Sequence, residues 1–279
     1  MSQDRIHRAI SDDGTEIAGR VHGQGPPLVL VHGAMADGDS DWGALVPLLA
    51  DRFTCYVPST RGRGLSGAHP DVSREARVRD ITAFVDSVGE PVGLVGLSGG
   101  GMLVFDVAVR ARAVTAVVGY EPVVFEAIDP ETLARFTEGL ERMAEVGGQG
   151  RAAEAAESFM SFAANEDEFA LLTSDREELA LAAQYLPLDL EEFWEAVDFE
   201  GPSPTDPSVL AQVDVPVLLL QGSRTPQPWF VECVRFAAEH VPDATVRELP
   251  GTGHLAPIVE PEAVAAQLVE FFEAARQPA

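Results

Sequence analysis

Hydrophobic positions along this chain follow two alternating rhythms. Short, nearly unbroken apolar runs, such as "PLVLV" before His32-Gly33, "PVGLVGL" before Ser98, "AVTAVVGY" before Glu121 and "PVLLL" before Gln221, read as strands covered on both faces. "FTCYVP" and "ATVRELP" are weaker strand signals, and "TEIAGRVHG" alternates like an edge strand. Between them lie stretches with apolar residues at helical spacing: "WGALVPLLA", "SREARVRDITAFVDSVG" stopped by Gly89, "GGGMLVFDVAVRA" and the closing "PEAVAAQLVEFFEAAR". Strand and helix in strict alternation predict an α/β fold with a mainly parallel, doubly wound sheet.

One region breaks the alternation. From about Asp129 to Glu200 the helical period persists through "ETLARFTEGLERMAEV", "RAAEAAESFMSFAA", "REELALAAQYL" and "LEEFWEAV", with no strand between them. The segment "GPSPTDPS" then reads as a linker. The predicted partition is a core of residues 1–125 and 203–279, interrupted by a helical cap (lid) over 126–202. No internal repeat or low-complexity tract is evident.

Composition narrows the function. The 279 residues carry 45 acidic and 19 basic side chains, a formal net charge of −26, and every basic residue is arginine. Such a surface repels phosphates, which argues against nucleic acid and anionic membranes as partners. The absence of lysine excludes a Schiff-base lysine. The two cysteines, Cys55 and Cys233, are too few for a disulfide framework or a zinc site. The amino terminus shows no signal-peptide core and no run of 18 apolar residues occurs, so a cytoplasmic protein is expected. The lysine-free, alanine- and arginine-rich composition points to a bacterial genome, and a monomer or homodimer is the expected state.

"GLSGG", residues 96–100, fits G-x-S-x-G between a buried strand and a helix, the setting in which that motif forms a nucleophile elbow. A serine on so sharp a turn needs neighbours without Cβ atoms, here Gly96 and Gly100. "LVLVHGAMADG" supplies a loop that can aim an amide at the same point. The Gly99 and Ala34 N–H groups are the expected oxyanion donors, with Met35 as an alternative to Ala34. His32, at the strand end, is expected to pin that loop. "LPGTGHLAP" places His254 between the last strand and the last helix, in the order Ser…acid…His.

With these three segments the chain resembles the α/β-hydrolase superfamily over nearly its whole length. "HGAMADG" is similar to that family's oxyanion loop and "PSTRGRGLSG" to its D-x-R-G-x-G-x-S-D loop, with Ser59 and Gly67 in place of the two aspartates. The resemblance implies an α/β-hydrolase fold with a helical cap inserted after the sixth strand, and a Ser98–His254–acid triad needing no cofactor and no metal. The acid is the departure. The family usually carries it after the strand "PVLLLQG", yet no Asp or Glu occurs between Asp214 and Glu232, and Thr225 stands where the aspartate belongs. Some members, among them haloalkane dehalogenases and zearalenone-type lactonases, place it after the preceding core strand. Here that strand ends in "GYEP", which makes Glu121 the candidate.

The expected activity is hydrolysis of a moderately apolar ester or lactone through an acyl-enzyme on Ser98. Acyl transfer, thioester, carbon–carbon or peracid chemistry on the same triad remains open, as do a cofactor-free lyase or oxygenase and a non-catalytic ligand receptor. Serine at position 98 argues against alkyl-enzyme chemistry, which needs a carboxylate nucleophile. Met35 and Trp194 are the expected pocket-lining residues.

Overall fold

The computed structural model describes residues 5–174, 176–198 and 201–276. Residues 1–4 and 277–279 of the expected core, and 175, 199 and 200 of the expected cap, lie outside the described residues. Eight strands form one sheet: β1 (Arg5–Ile10), β2 (Glu16–Gly23), β3 (Pro27–Val31), β4 (Thr54–Pro58), β5 (Val92–Leu97), β6 (Val114–Tyr120), β7 (Val217–Gly222) and β8 (Ala244–Leu249). Their order is β1-β2-β4-β3-β5-β6-β7-β8. β2 runs antiparallel to β1 and β4, and every other pairing is parallel.

The apolar runs behave as their composition dictates. All residues of β3 and β5 are buried, because helices cover both faces of the sheet. Phe105, Phe84, Val29 and Leu94 belong to one buried cluster, and Leu30, Trp42, Val118 and Phe272 to another. β1 carries no comparable signal. Only Ala9 of its residues is buried, and Ile10 is exposed. The strand exists through its backbone ladder to β2, which a hydrophobic pattern does not record.

Eight longer helices matter for the site: α1 (Arg74–Val88), α2 (Gly99–Arg110), α3 (Pro130–Gly148), α4 (Ala152–Ala163), α5 (Glu166–Ser174), α6 (Arg176–Asp198), α7 (Pro228–His240) and α8 (Pro261–Ala275). α1 is capped at its start by the Ser73 hydroxyl, which accepts the Ala76 N–H, and ends at Gly89 in a left-handed conformation, φ 75°. Helices α3 to α6 follow β6, and α3, α4 and α6 share an apolar cluster containing Leu140, Met143, Leu179 and Leu186.

Two features of this helical stretch differ from the sequence expectation. The segments around 176–186 and 190–197 form one helix, α6, that carries Pro187 in its interior. Helix α5 carried no recognised periodic signal. Its start is a capping box in which Glu168 accepts the Asn165 N–H at 2.9 Å while Asn165 accepts the Glu168 N–H at 3.1 Å. Among the described residues, no helix is long and apolar enough to cross a membrane.

Candidate active site

Ser98 joins β5 to α2 with φ 53° and ψ −115°, a strained conformation for a residue with a Cβ. The surrounding backbone enforces it. The Ser98 N–H donates to the Tyr120 carbonyl at 3.0 Å, and the Ser98 carbonyl accepts from Met102 and Val123, each at 3.1 Å. A Cβ on Gly96 would lie 2.5 Å from the Gly100 carbonyl oxygen, and one on Gly100 would lie 2.3 Å from that of Val31. The glycines on either side of the serine are therefore sterically required. The Ser98 hydroxyl makes no capping bond to α2 and faces a cleft of about 900 Å³ that it shares with His254, Ala34 and Gly99.

His254 is 2% exposed, on the loop after β8. Its ring stacks on Phe230 at 3.9 Å between centroids, and the preceding carbonyl, Gly253 O, accepts the Tyr120 hydroxyl at 2.6 Å. His254 Nδ1 lies 2.6 Å from Glu121 Oε2. A carboxylate can only accept, so Nδ1 carries the proton and the Nε2 lone pair is left for another donor.

Glu121 sits directly after β6 at φ 40°, wholly buried, and its own N–H donates to the Leu220 carbonyl at 2.9 Å. Its second oxygen, Oε1, accepts the Gly222 N–H at 2.8 Å and the hydroxyl of Thr225. The residue that stands where an aspartate was anticipated is thus a donor to the carboxylate on the neighbouring strand. Neither Thr225 nor the Gly222 amide was foreseen from sequence, because only the parallel pairing of β6 with β7 brings them to Glu121.

The loop after β3 is tied at alternate amides. Gly33 N–H donates to Asp41 Oδ2 at 2.7 Å, and Met35 N–H donates to Asp189 Oδ1 of α6 at 3.0 Å. Ala34 lies between them, and among the described residues its amide and that of Gly99 have no protein acceptor. Met35 is accordingly unsuited as the alternative oxyanion donor, since its N–H is committed. Burial pushes the Asp41 carboxyl up to about 7 despite the Gly33 bond. Burial likewise pushes His32 down to about 4. Its neutral ring accepts the Thr60 N–H at Nε2, 3.0 Å away, and donates from Nδ1 to the Gly33 carbonyl at 2.7 Å, which pins the loop.

Aromatic and aliphatic side chains dominate the cleft: Phe125, Phe136, Phe159, Phe162, Phe193, Trp229, Met102 and Leu103. Trp194 and Met35 do not line it. Phe193 and Trp194 both pack against the apolar cluster of α3, α4 and α6, but a helix turns by about 100° per residue and only Phe193 lines the cleft. Met35 lines a second cavity of about 550 Å³ that shares Ala34, Phe159 and Ala163 with the cleft. A strained hydroxyl, an imidazole oriented by a buried carboxylate and two open amides are the parts that acyl transfer requires.

Similarity to known proteins agrees with the architecture. The chain is 36% identical over 93 residues to the pyrrolizixenacetamide deacetylase of Xenorhabdus hominickii, covering 32% of this chain and 34% of that protein. It is 30% identical over 107 residues to the soluble epoxide hydrolase of Corynebacterium sp. (strain C12), covering 38% of this chain and 37% of that protein. It therefore spans little more than a third of each of these curated relatives. An alpha/beta hydrolase from Sphaerobacter thermophilus superposes with a TM-score of 0.74 at 28% identity, over 95% of this chain and all of that one. The sequence profile of the alpha/beta hydrolase family matches residues 28–267, and the chain belongs to that family.

Proposed function

We propose that this alpha/beta hydrolase cleaves a carboxylic ester or lactone of a moderately apolar small molecule through an acyl-enzyme on Ser98. The observation that carries the reading is the 2.6 Å contact between His254 Nδ1 and Glu121 Oε2, beside the strained Ser98 in one cleft. His254 Nε2 takes the Ser98 hydroxyl proton as Oγ bonds to the substrate carbonyl carbon. The carbonyl oxygen becomes an oxyanion held by the Ala34 and Gly99 amides, each such donor being worth roughly 10²–10³ in rate. Collapse breaks the carbon–oxygen bond, and the proton on His254 passes to the leaving alkoxide. Water then enters, gives a proton to His254, and releases the acid and the free Ser98 hydroxyl. Glu121 holds the imidazole in the required tautomer and stabilises its cation.

The apolar lining favours an aliphatic or aromatic acyl portion, and the net charge of −26 disfavours anionic substrates in free solution. An amide is the second substrate class, favoured by the local similarity to a deacetylase. Epoxide opening fits less well, because it requires a carboxylate nucleophile where this chain has Ser98. Turnover of p-nitrophenyl and naphthyl esters, combined with fluorophosphonate labelling mapped to a peptide, tests the reading. Adduct formation on Ser98 with ester hydrolysis is expected. A protein that binds these esters without turnover or labelling would be a receptor, and the proposal would fall.

A further inference from the structure

Two buried carboxylates from the cap reach across to the two loops that carry the proposed machinery, and neither takes part in the chemistry itself. The first is Asp189 on α6, fully buried. Its Oδ1 accepts the Met35 N–H at 3.0 Å, and Met35 stands at φ 59°, a left-handed conformation that a methionine does not adopt unaided. Arg63 holds Asp189 in turn, with contacts of 2.8 Å to Oδ1 and 3.2 Å to Oδ2, and also donates to the Ala36 carbonyl at 3.3 Å. The Asp189–Arg63 pair thus grips the loop on both sides of the Met35–Ala36 peptide. The open amide of Ala34 lies immediately before that grip.

The second is Glu168 on α5, 3% exposed. One oxygen closes the capping box with Asn165, and the other accepts the Leu255 N–H at 2.9 Å, directly after His254. The fit is tight at the residue before His254 too: a Cβ on Gly253 would lie 2.5 Å from Glu168 Oε2 and 2.3 Å from Asn165 Nδ2. These carboxylates are 21 positions apart in sequence and act on loops 220 positions apart (Met35 to Leu255), so no local pattern joins them.

We infer that the cap is a two-point clamp in which Asp189 and Glu168 are positioning residues, one fixing the oxyanion loop and the other fixing the loop of His254. The clamp rests on the acyl-transfer reading for its kinetic consequence, though not for its geometry. Apolar contacts slide with little change in energy, whereas a buried carboxylate on an N–H group holds one direction and one distance. Misplacing a catalytic group by an ångström can lower turnover about 100-fold without weakening substrate binding.

The test compares the wild type with Glu168→Gln and Asp189→Asn, and with Arg63→Met/Asp189→Leu, which removes both charges of that pair together while Glu192 keeps Arg77. Amide hydrogen exchange over 33–37 and 251–257 is followed by mass spectrometry, alongside kcat and KM on p-nitrophenyl butyrate. In the Asp189 variants, exchange should rise at 33–37, and in Glu168→Gln it should rise at 251–257. In each, kcat should fall about 10- to 100-fold with KM within twofold. Unchanged exchange in both loops would overturn the clamp, as would unchanged kcat with a raised KM, which would make the cap a binding surface alone. A wild type inert to esters and fluorophosphonates would sink the hydrolase reading, and the exchange measurement would still decide the clamp.

Discussion

Below the site, the two faces of the sheet are packed with Leu, Val, Ile and Phe side chains that lack polar atoms. Above it, α6 presents carboxylates to arginines of the core. Arg63 and Arg77 from the core contact Asp189 and Glu192 of α6 at 2.8–3.1 Å, and Arg74 contacts Glu195 at 3.4 Å. The sheet is specified by volume and pattern, which many sequences satisfy. The cap interface is specified by direction, because a buried ion loses its hydration and regains it only from partners in the right place. The difference places tolerant packing under the nucleophile and exacting contacts over it.

The largest expected effect sits where the two regions meet. Ser98→Ala should lower ester turnover by about 10⁴-fold or more and abolish fluorophosphonate labelling, with the thermal midpoint unchanged or raised, since no binding energy of the fold runs through the hydroxyl. Retained labelling would place the nucleophile elsewhere. Next comes a contrast in stability. Phe105→Ala, in the sheet's core, and Arg63→Met, which strands Asp189, should each cost about 3–5 kcal/mol by denaturant titration. The two should part company when a second change is added. Arg63→Met/Asp189→Leu should recover most of the loss, whereas no second deletion repairs the cavity left by Phe105. If the double variant is no better than the single, the cap is held by something other than these ions.

Gly253→Ala should have a smaller effect. Its new Cβ meets the Glu168 and Asn165 side chains, which must shift, for about 1–3 kcal/mol of stability and a measurable fall in kcat. Wild-type kinetics in this variant would show that the loop and cap yield freely. The smallest effect concerns pH. Asp41 titrates near 7 in the fold, above its ordinary 3.8, so folding favours the protonated form. That contribution is complete below about pH 4 and is lost as pH rises to about 7. Asp41→Asn should therefore melt close to the wild type at pH 4 and above it at pH 8. A gap that does not widen with pH would contradict the burial of this carboxyl.

The same contrast explains what could be read from sequence. Strands β3, β5, β6 and β7 announced themselves as apolar runs because burial on both faces leaves no room for polar residues. The elbow at Ser98 was legible because steric crowding leaves only glycine at 96 and 100. Glu121 was reached through the resemblance to members that carry the acid one core strand earlier, and its carboxylate lies 2.6 Å from the His254 ring. Thr225 was read as a missing aspartate, and its role as donor to Glu121 emerges only from the β6–β7 pairing. The stretches 176–186 and 190–197 read separately in the sequence, yet α6 runs through Pro187 between them, with Asp189 and Glu192 bonded to Arg63 and Arg77. The capping box at Asn165 and Glu168 was a usable local signal for α5 that periodicity alone did not provide. Charge contacts between segments 126 positions apart, such as Arg63 with Asp189, have no sequence period at all.

The carboxylate on β6 carries the whole account of how the imidazole is oriented, and Glu121→Gln probes it with almost no change in volume. The amide can still accept from Gly222 and Thr225 through its oxygen, but then turns an NH₂ toward His254 Nδ1 and forces the opposite tautomer. Measured on p-nitrophenyl butyrate at neutral pH, kcat for this variant should fall by about 10³- to 10⁴-fold while the fold remains intact. A Glu121→Gln enzyme turning over within twofold of the wild type would contradict the assignment.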